Sequence, residues 1–382
     1  MADPLLTFTE QGIYCARGDF YIDPWRPVDR ALITHGHADH ARWGMGRYLA
    51  TDLAAPVMRH RLGDIPLETI GYGEVRDIGG VSVSFHPAGH VPGSAQIRVE
   101  HGGEVWVASG DYKVVDDGLS TPFEPVPCHH FITESTFGLP VFRWKPQAEV
   151  AADLNAWWAA CADAGQTAVL GAYALGKAQR LLSMLDPAIG PILCHTAIEN
   201  TNAILRAQGL RLPDTVHATA DVDPKAHPRA LLMAPPSATD SKWAAKFGAR
   251  QTGFASGWMA LRGIRRRRAQ DRGFVISDHA DWTGLLWAIE QTGAENIYVT
   301  HGYTEIFTRY LNSAGWNAEV IPTQFGSEEE DGRRNARASR CGCSRKAIRS
   351  WGIWRRPSHW FCRRQRGRPI TVYRIGSTPC AG

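Results

Sequence analysis

Apolar residues in this chain come in short runs, and several of those runs end on polar side chains of the kind that bind ions. Tyr14 to Arg17, Phe20 to Asp23 and Arg30 to Thr34 read as short strands separated by turns. Val81-Ser-Val-Ser-Phe85 alternates with period two and runs into Pro87-Ala-Gly-His90. Ala95 to Glu100 and Glu104 to Ala108 flank a Gly102-Gly103 turn, which predicts a hairpin ending at Ser109-Gly-Asp111. Phe131-Ile-Thr-Glu134 is another apolar strand with a polar end.

From about Leu139 the rhythm becomes alternating helix and strand. Helices are expected over 147–164, 174–185 (amphipathic) and 198–208, with buried strands over 167–171, 191–194 and 230–234. That alternation is the pattern of a parallel sheet with covering helices. The strand-then-ligand pattern returns in Gly273-Phe-Val-Ile-Ser-Asp278-His279-Ala-Asp281 and in Asn296-Ile-Tyr-Val-Thr-His301. The α/β block therefore reads as an insertion within a first domain: 1–138, insertion 139–270, return 271–326, then a tail 327–382. No internal repeat is evident.

Composition changes this picture only at the C-terminal end. The 382 residues are 44% hydrophobic and 21% charged, an ordinary globular mixture. Met1 to Glu10 lack a secretory pattern and no run is long enough to span a bilayer, so no membrane association is expected. Cys15, Cys128, Cys161 and Cys194 have no paired spacing and read as reduced thiols of a cytoplasmic protein. The net charge is +4, yet residues 332–382 carry 13 Arg and one Lys with no acid, which leaves residues 1–331 at −10. Nucleic-acid binding must therefore be argued from local sites. The tail has no apolar period and reads as a disordered appendage. Its two sources are a basic nucleic-acid-binding tail and a reading-frame slip near the 3′ end of a GC-rich gene, and the Arg/Gly/Cys/Trp/Pro mixture favours the slip. Cys341-Gly-Cys343 has the wrong spacing for a zinc knuckle.

The densest chemistry is Ala31-Leu-Ile-Thr-His35-Gly-His37-Ala-Asp39-His40. Histidine and carboxylate are the ligands that zinc and similar divalent ions prefer. His35 and His37, two apart, share one side of an extended segment, and Asp39 and His40 follow where a helix is expected to begin. One ion could sit on each pair. Chance histidines in a polar loop are the competing reading. Asp23, His90, Asp111, Glu134, His279 and His301 complete the candidate set; Asp23 could equally start a turn before Pro24. Cys128-His129-His130 cannot easily share one ion, because consecutive strand residues face opposite ways.

In order and spacing these residues resemble the metallo-β-lactamase superfamily, over residues 12–326. The flanking of a large insert by Glu134 in Thr-Glu-Ser-Thr-Phe-Gly and His279 in Ser-Asp-His-Ala-Asp resembles its β-CASP nucleases. Ala-Gly-His90-Val-Pro-Gly-Ser and Tyr-Ala-Leu-Gly-Lys177-Ala-Gln resemble the messenger-RNA 3′-end cleavage enzymes of that group. Gly253-Phe-Ala-Ser-Gly-Trp-Met with the following arginines is most similar to the bacterial ligase-associated DNA exonucleases.

The resemblance implies an αββα sandwich with an inserted α/β domain. It implies two zinc ions, with manganese an alternative: one on His35, His37 and His90, the other on Asp39, His40 and His301, with Asp111 bridging. Asp23 would support a ligand histidine from behind, and His279, oriented by Glu134, would protonate the leaving oxygen. It implies a nucleic-acid substrate, DNA over RNA, and functional association with an ATP-dependent DNA ligase and a helicase. Lys177, Ser256 and Gly257 are candidate phosphate contacts, and Arg262 and Arg265 to Arg268 candidate rim residues; a solvated helix face is the competing reading for the basic ones. RNA processing, small ester or thioester hydrolysis and a non-catalytic scaffold are the rival functions.

Overall fold

The computed structural model describes residues 4–263 and 271–322. The tail 327–382 and Arg265 to Arg268 lie outside them.

Two sheets face each other. The first runs in chain order through Thr7–Phe8, Ile13–Cys15, Phe20–Ile22, Arg30–Leu32, Arg47–Thr51 and Leu67–Ile70. The second has the order Asn317–Val320, Asn296–Gly302, His130–Ser135, Glu104–Ala108, Ala95–His101, Val81–Pro87, Val75–Ile78. Alternating apolar positions close the gap: Ile13, Phe20, Leu32 and Leu49 of one meet Val83, Phe85, Ile97, Val99 and Ile132 of the other in one buried cluster. Helix Ala55–Leu62 covers the outer face of the first sheet through Met58 against Ala31, Ile33, Tyr48 and Ala50. Helices Trp282–Thr292 and Thr304–Ser313 cover the outer face of the second through Leu285, Ile289, Phe307 and Leu311. The layers are α, β, β, α, as the resemblance implied.

Strand direction then places the chemistry. Val81–Pro87, Glu104–Ala108, His130–Ser135 and Asn296–Gly302 all point the same way, because the pairs between the last three are parallel and two antiparallel steps separate the first two. Their C-terminal ends share one edge of the sandwich, where His90, Asp111, Glu134 and His301 emerge.

A third, all-parallel sheet has the order Val216–His217, Ile192–Cys194, Leu231–Ala234, Thr167–Gly171, Arg250–Ala255, Arg272–Phe274. Its near-continuous apolar strands are buried on both faces, as parallel sheets require. Helix Gln147–Asp163 lays Leu154 and Trp158 on one face, and Phe247 packs on the other.

Three expectations need correction, and one stretch had none. The strand Arg272–Phe274 is an edge of this third sheet, so the sheet runs past the border expected at residue 270. The helix expected over 174–185 is only Lys177–Leu182, with every residue buried. Wedged between the third sheet and the sandwich, it has no solvent face to make it amphipathic. Residues 38–41 form a turn, not the start of a helix. The strands and helix between Arg47 and Ile78 carry no strong period and went unpredicted.

Gly110 joins the second sheet to Asp111 with φ +57, and a Cβ there would lie 2.6 Å from the Thr34 hydroxyl. Gly110→Ala should cost about 1–3 kcal/mol of backbone strain, plus displacement of Thr34, read as a lower urea midpoint.

Candidate metal centre

His35, His37 and His90 each give one nitrogen to a common point. His35 Nε2 and His37 Nδ1 are 3.1 Å apart, and so are His37 Nδ1 and His90 Nε2. The opposite nitrogens decide what faces that point. His37 Nε2 lies 3.3 Å from the Leu175 carbonyl and His90 Nδ1 2.8 Å from the Asp278 carbonyl; carbonyls only accept, so both nitrogens carry the proton. The Thr34 hydroxyl gives its hydrogen to Asp23 Oδ2 at 2.6 Å, so His35 Nδ1, 3.1 Å away, must donate to it. Each neutral ring then aims a lone pair inward. Three lone pairs converging at hydrogen-bond distance repel unless a cation lies among them, so this donor set fits one. The spacing is close to the ~3.3 Å that separates nitrogens bound at 2.0–2.1 Å around a tetrahedral ion.

Electrostatics keeps His35 and His90 neutral. Burial, with the neighbouring histidines, holds His35 and His90 well below the usual histidine range. Burial likewise pulls His301 down to about 3, although Asp111 opposes it.

A second group forms alongside, where Asp39, His40 and His301 each offer an atom within 4.8 Å of the others. The His40 and His301 rings stack at 5.1 Å between centroids. His40 Nδ1 lies 2.7 Å from Asp23 Oδ2, and its Nε2 is 3.4 Å from Asp111 and 3.8 Å from Asp39. Burial works against charge on His40, but Asp111, Asp39 and Asp23 outweigh it and raise its pKa well above the ordinary value. Asp23, at φ +43, also accepts the Thr34 amide at 2.8 Å, so one carboxylate sets His40 directly and His35 through Thr34.

Asp111 stands between the groups. Its Oδ2 is 3.6 Å from His35, 3.4 Å from His40 and 3.8 Å from His90, and its buried Oδ1 makes no hydrogen bond. Burial alone would favour the acid, but His40 and His279 hold it well below the carboxylate range. An ionised buried oxygen with no donor is a second mark of a cation site.

Glu134 and His279 form a third, overlapping group with Asp111. Glu134 Oε1 accepts the Tyr112 amide at 2.7 Å and its Oε2 is 2.8 Å from His279 Nδ1. Burial raises the Glu134 pKa, Asp111 adds to the rise, and His279 opposes it. The His279 ring lies 4.6 Å from that of His90. Trp144 steadies the segment by donating its indole N–H to the His279 carbonyl at 2.9 Å.

The three candidate phosphate contacts are not at a surface. Lys177 is buried, with its ammonium 3.6 Å from Asp278 Oδ2, so it is neither a solvated helix lysine nor open to a substrate phosphate. Ser256 is buried and caps the short turn Gly257–Ala260. Gly257 packs so closely that a Cβ would come within 2.5 Å of the Phe137 ring. The accessible backbone expected at 256–257 is therefore absent. Arg262 is exposed.

No family model matches the chain. A protein of Opitutus terrae named "Probable DNA ligase" is 28% identical over 315 residues, which is 81% of this chain and 30% of that protein. "Cleavage and polyadenylation specificity factor 73" of Drosophila melanogaster is 27% identical over 41% of this chain and 24% of its own length. "Endoribonuclease YSH1" of Yarrowia lipolytica is 33% identical over 42% of this chain and 23% of its own. The chain thus spans less than a third of the length of these relatives. A solved structure of a protein of unknown function from Enterococcus faecalis shares the fold, with a TM-score of 0.50 at 11% identity over 78% of this chain and 80% of that one. These similarities and the clustered histidines and aspartates fit a metallo-β-lactamase fold of the β-CASP kind.

Several residues that support the centre were not visible in sequence. Thr34 and the Leu175 carbonyl carry no motif of their own, and Asp278 was read only as a neighbour of His279. Its one signal is an acid placed between a buried strand and a histidine. Among the described residues no helix is long and apolar enough to cross a membrane.

Asp23→Ala should weaken divalent-cation binding by about 10–100-fold, because His40 loses the acceptor that fixes its tautomer; competition against a chromogenic chelator reads the change.

Proposed function

We propose that this chain is a dinuclear metal-dependent nuclease that hydrolyses phosphodiester bonds of DNA, an exonuclease working in repair beside a DNA ligase in the cytoplasm. The observation that carries this reading is the buried Glu134–His279 pair set against the ligand cluster, with Asp111 common to both. A leaving sugar oxygen must be protonated, and a histidine held by a carboxylate at that place can do it.

His35, His37 and His90 would hold one ion, Asp39, His40 and His301 the other, with Asp111 between them. Zinc suits this nitrogen-rich donor set, and manganese is the alternative. Two such ions, when bound, supply electrophilic charge to phosphoryl oxygens and make hydroxide accessible at neutral pH. The protein's own share is positional. Asp23 and Thr34 fix His35 and His40, and Glu134 accepts the His279 Nδ1 proton, stabilises the charged ring and leaves Nε2 to deliver a proton. Burial of Glu134 and His279 excludes water from that transfer.

The ligase-named relative supports DNA, since its match covers 81% of this chain, whereas the matches to the cleavage and polyadenylation factor and to the Yarrowia lipolytica endoribonuclease cover under half. RNA processing is the second reading, favoured by the word "Endoribonuclease" in several of those names. Association with an ATP-dependent ligase and a helicase belongs with the DNA reading. Small ester or thioester hydrolysis fits less well, because it has no use for an acid–histidine pair beside the third sheet.

The test is the full chain incubated with end-labelled single- and double-stranded DNA and RNA, with nitrocefin and a thioester in parallel. Mononucleotide release from DNA, abolished by chelator and restored by zinc or manganese, is expected. His279→Ala should lower kcat by about 10²–10⁴-fold with metal content unchanged, and Asp39→Ala should lose activity together with one ion. Thioester turnover with every polymer intact would sink the nuclease reading, and cleavage of RNA alone would sink its DNA half.

A further inference from the structure

The turn that carries the ligand histidines is pinned by its carbonyls. Arg61, in the last turn of helix Ala55–Leu62, donates its Nε to the Gly36 carbonyl at 3.0 Å. Its Nη2 donates to the carbonyls of His37, at 3.3 Å, and Ala41. Arg42 donates its Nε to the Asp39 carbonyl and its Nη1 to that of Trp25, both at 3.1 Å. The hold continues past the ligands. The buried Tyr48 hydroxyl donates to the Arg42 carbonyl at 2.8 Å and accepts the Met45 amide at 3.0 Å, so one phenol fixes the backbone on both sides of residues 43 and 44.

On that fixed support stands Trp43, 75% exposed. An indole left in water contributes little to folding, since its value lies in burial. Single exposed apolar residues are ordinary on protein surfaces, but three observations set this one apart. Its Cα lies at most about 11 Å from that of His40, three residues away. Its backbone is held on either side, so the ring is presented with little freedom left to lose on binding. Two guanidinium groups lie on the same turn, in a chain whose residues 1–331 carry a net −10. A flat π-face, positive charge and closeness to the metal ligands together suit one occupant, a nucleotide with an unpaired base. The base would lie on the indole and its phosphate beside the guanidiniums, an arrangement that serves any base and either sugar. The interior of a duplex does not fit, because its bases are already stacked on one another.

We propose that Trp43 is a stacking platform for an unpaired base of the strand being cut, seating that strand next to the metal centre. The proposal rests on the nuclease reading above for what is cut there; the binding itself needs no ion.

The test is photocrosslinking of the full chain, kept in chelator so that nothing is cut, to oligonucleotides carrying 5-iodouracil at internal positions. Peptide mass spectrometry then locates the adduct. Single strands of DNA or RNA should mark Trp43, and the same strand annealed into a duplex should not. Adducts confined to other residues, the arginine-rich tail included, or equal marking by the duplex would overturn the platform. Binding gives an independent readout at about 0.3 M salt, where purely ionic contacts are weak. There Trp43→Ala should bind a single strand about 5–150-fold less tightly while an abasic strand of the same length binds as before. Trp43→Phe should recover most of the loss. Equal loss on both strands, or none on either, would refute stacking. Cleavage by the metal-loaded chain without an adduct at Trp43 would sink the platform and leave the nuclease reading standing. An adduct at Trp43 with every polymer left uncut would do the reverse.

Discussion

A neutral imidazole has one N–H to give, and where it is given determines what the ring shows to the other side. In this chain that constraint governs the architecture around the centre. Each of His35, His37 and His90 sends its proton outward, to a threonine hydroxyl or a main-chain carbonyl, and so presents a lone pair inward. None of those acceptors is itself a ligand, and they come from widely separated parts of the sequence. The centre is thus specified as much by the atoms behind the histidines as by the histidines themselves.

The fold makes that arrangement possible by bringing like-directed strand ends to one edge. His90, Asp111, Glu134 and His301 follow four strands that point the same way in one sheet, and His35 follows a parallel strand of the opposing sheet. The apolar layer between the sheets fixes their separation, so the ligand groups need only short turns to meet. The third sheet's block adds the Leu175 carbonyl, and the Lys177 ammonium that faces Asp278, from outside the sandwich.

How much of this was legible beforehand follows from how local each signal is. The candidate ligand residues were readable because they stand near the ends of apolar runs, whereas the α, β, β, α layering was legible only through the family resemblance those residues carry. The length of the helix at Lys177 was not, because its shortness comes from being wedged between two bodies, a tertiary fact that helix period cannot report. Lys177 looked like a surface cation for the same reason: charge in sequence implies solvent unless a partner is known, and its partner Asp278 lies a hundred residues on. Ser256 and Gly257 looked accessible because small residues often are, yet here smallness lets Phe137 and Trp144 close in. Thr34 went unnoticed because a hydroxyl between apolar residues and a histidine has no pattern at all.

The strand carrying His301 is paired with Glu134 opposite Thr300 and Ser135 opposite Gly302, so His301 is the additional residue of a bulge, and its backbone is left-handed at φ +55. Holding a non-glycine residue there costs on the order of 1–3 kcal/mol, and what it gains is a ring turned back toward His40. Side-chain swaps elsewhere in the centre leave that aim intact. Loss or gain of a single residue between 300 and 302 would not, since the register would close up or slip and the imidazole would swing to the other face. Descendants of this gene should therefore vary freely in loop length around the sandwich while the residue count across this one bulge stays fixed.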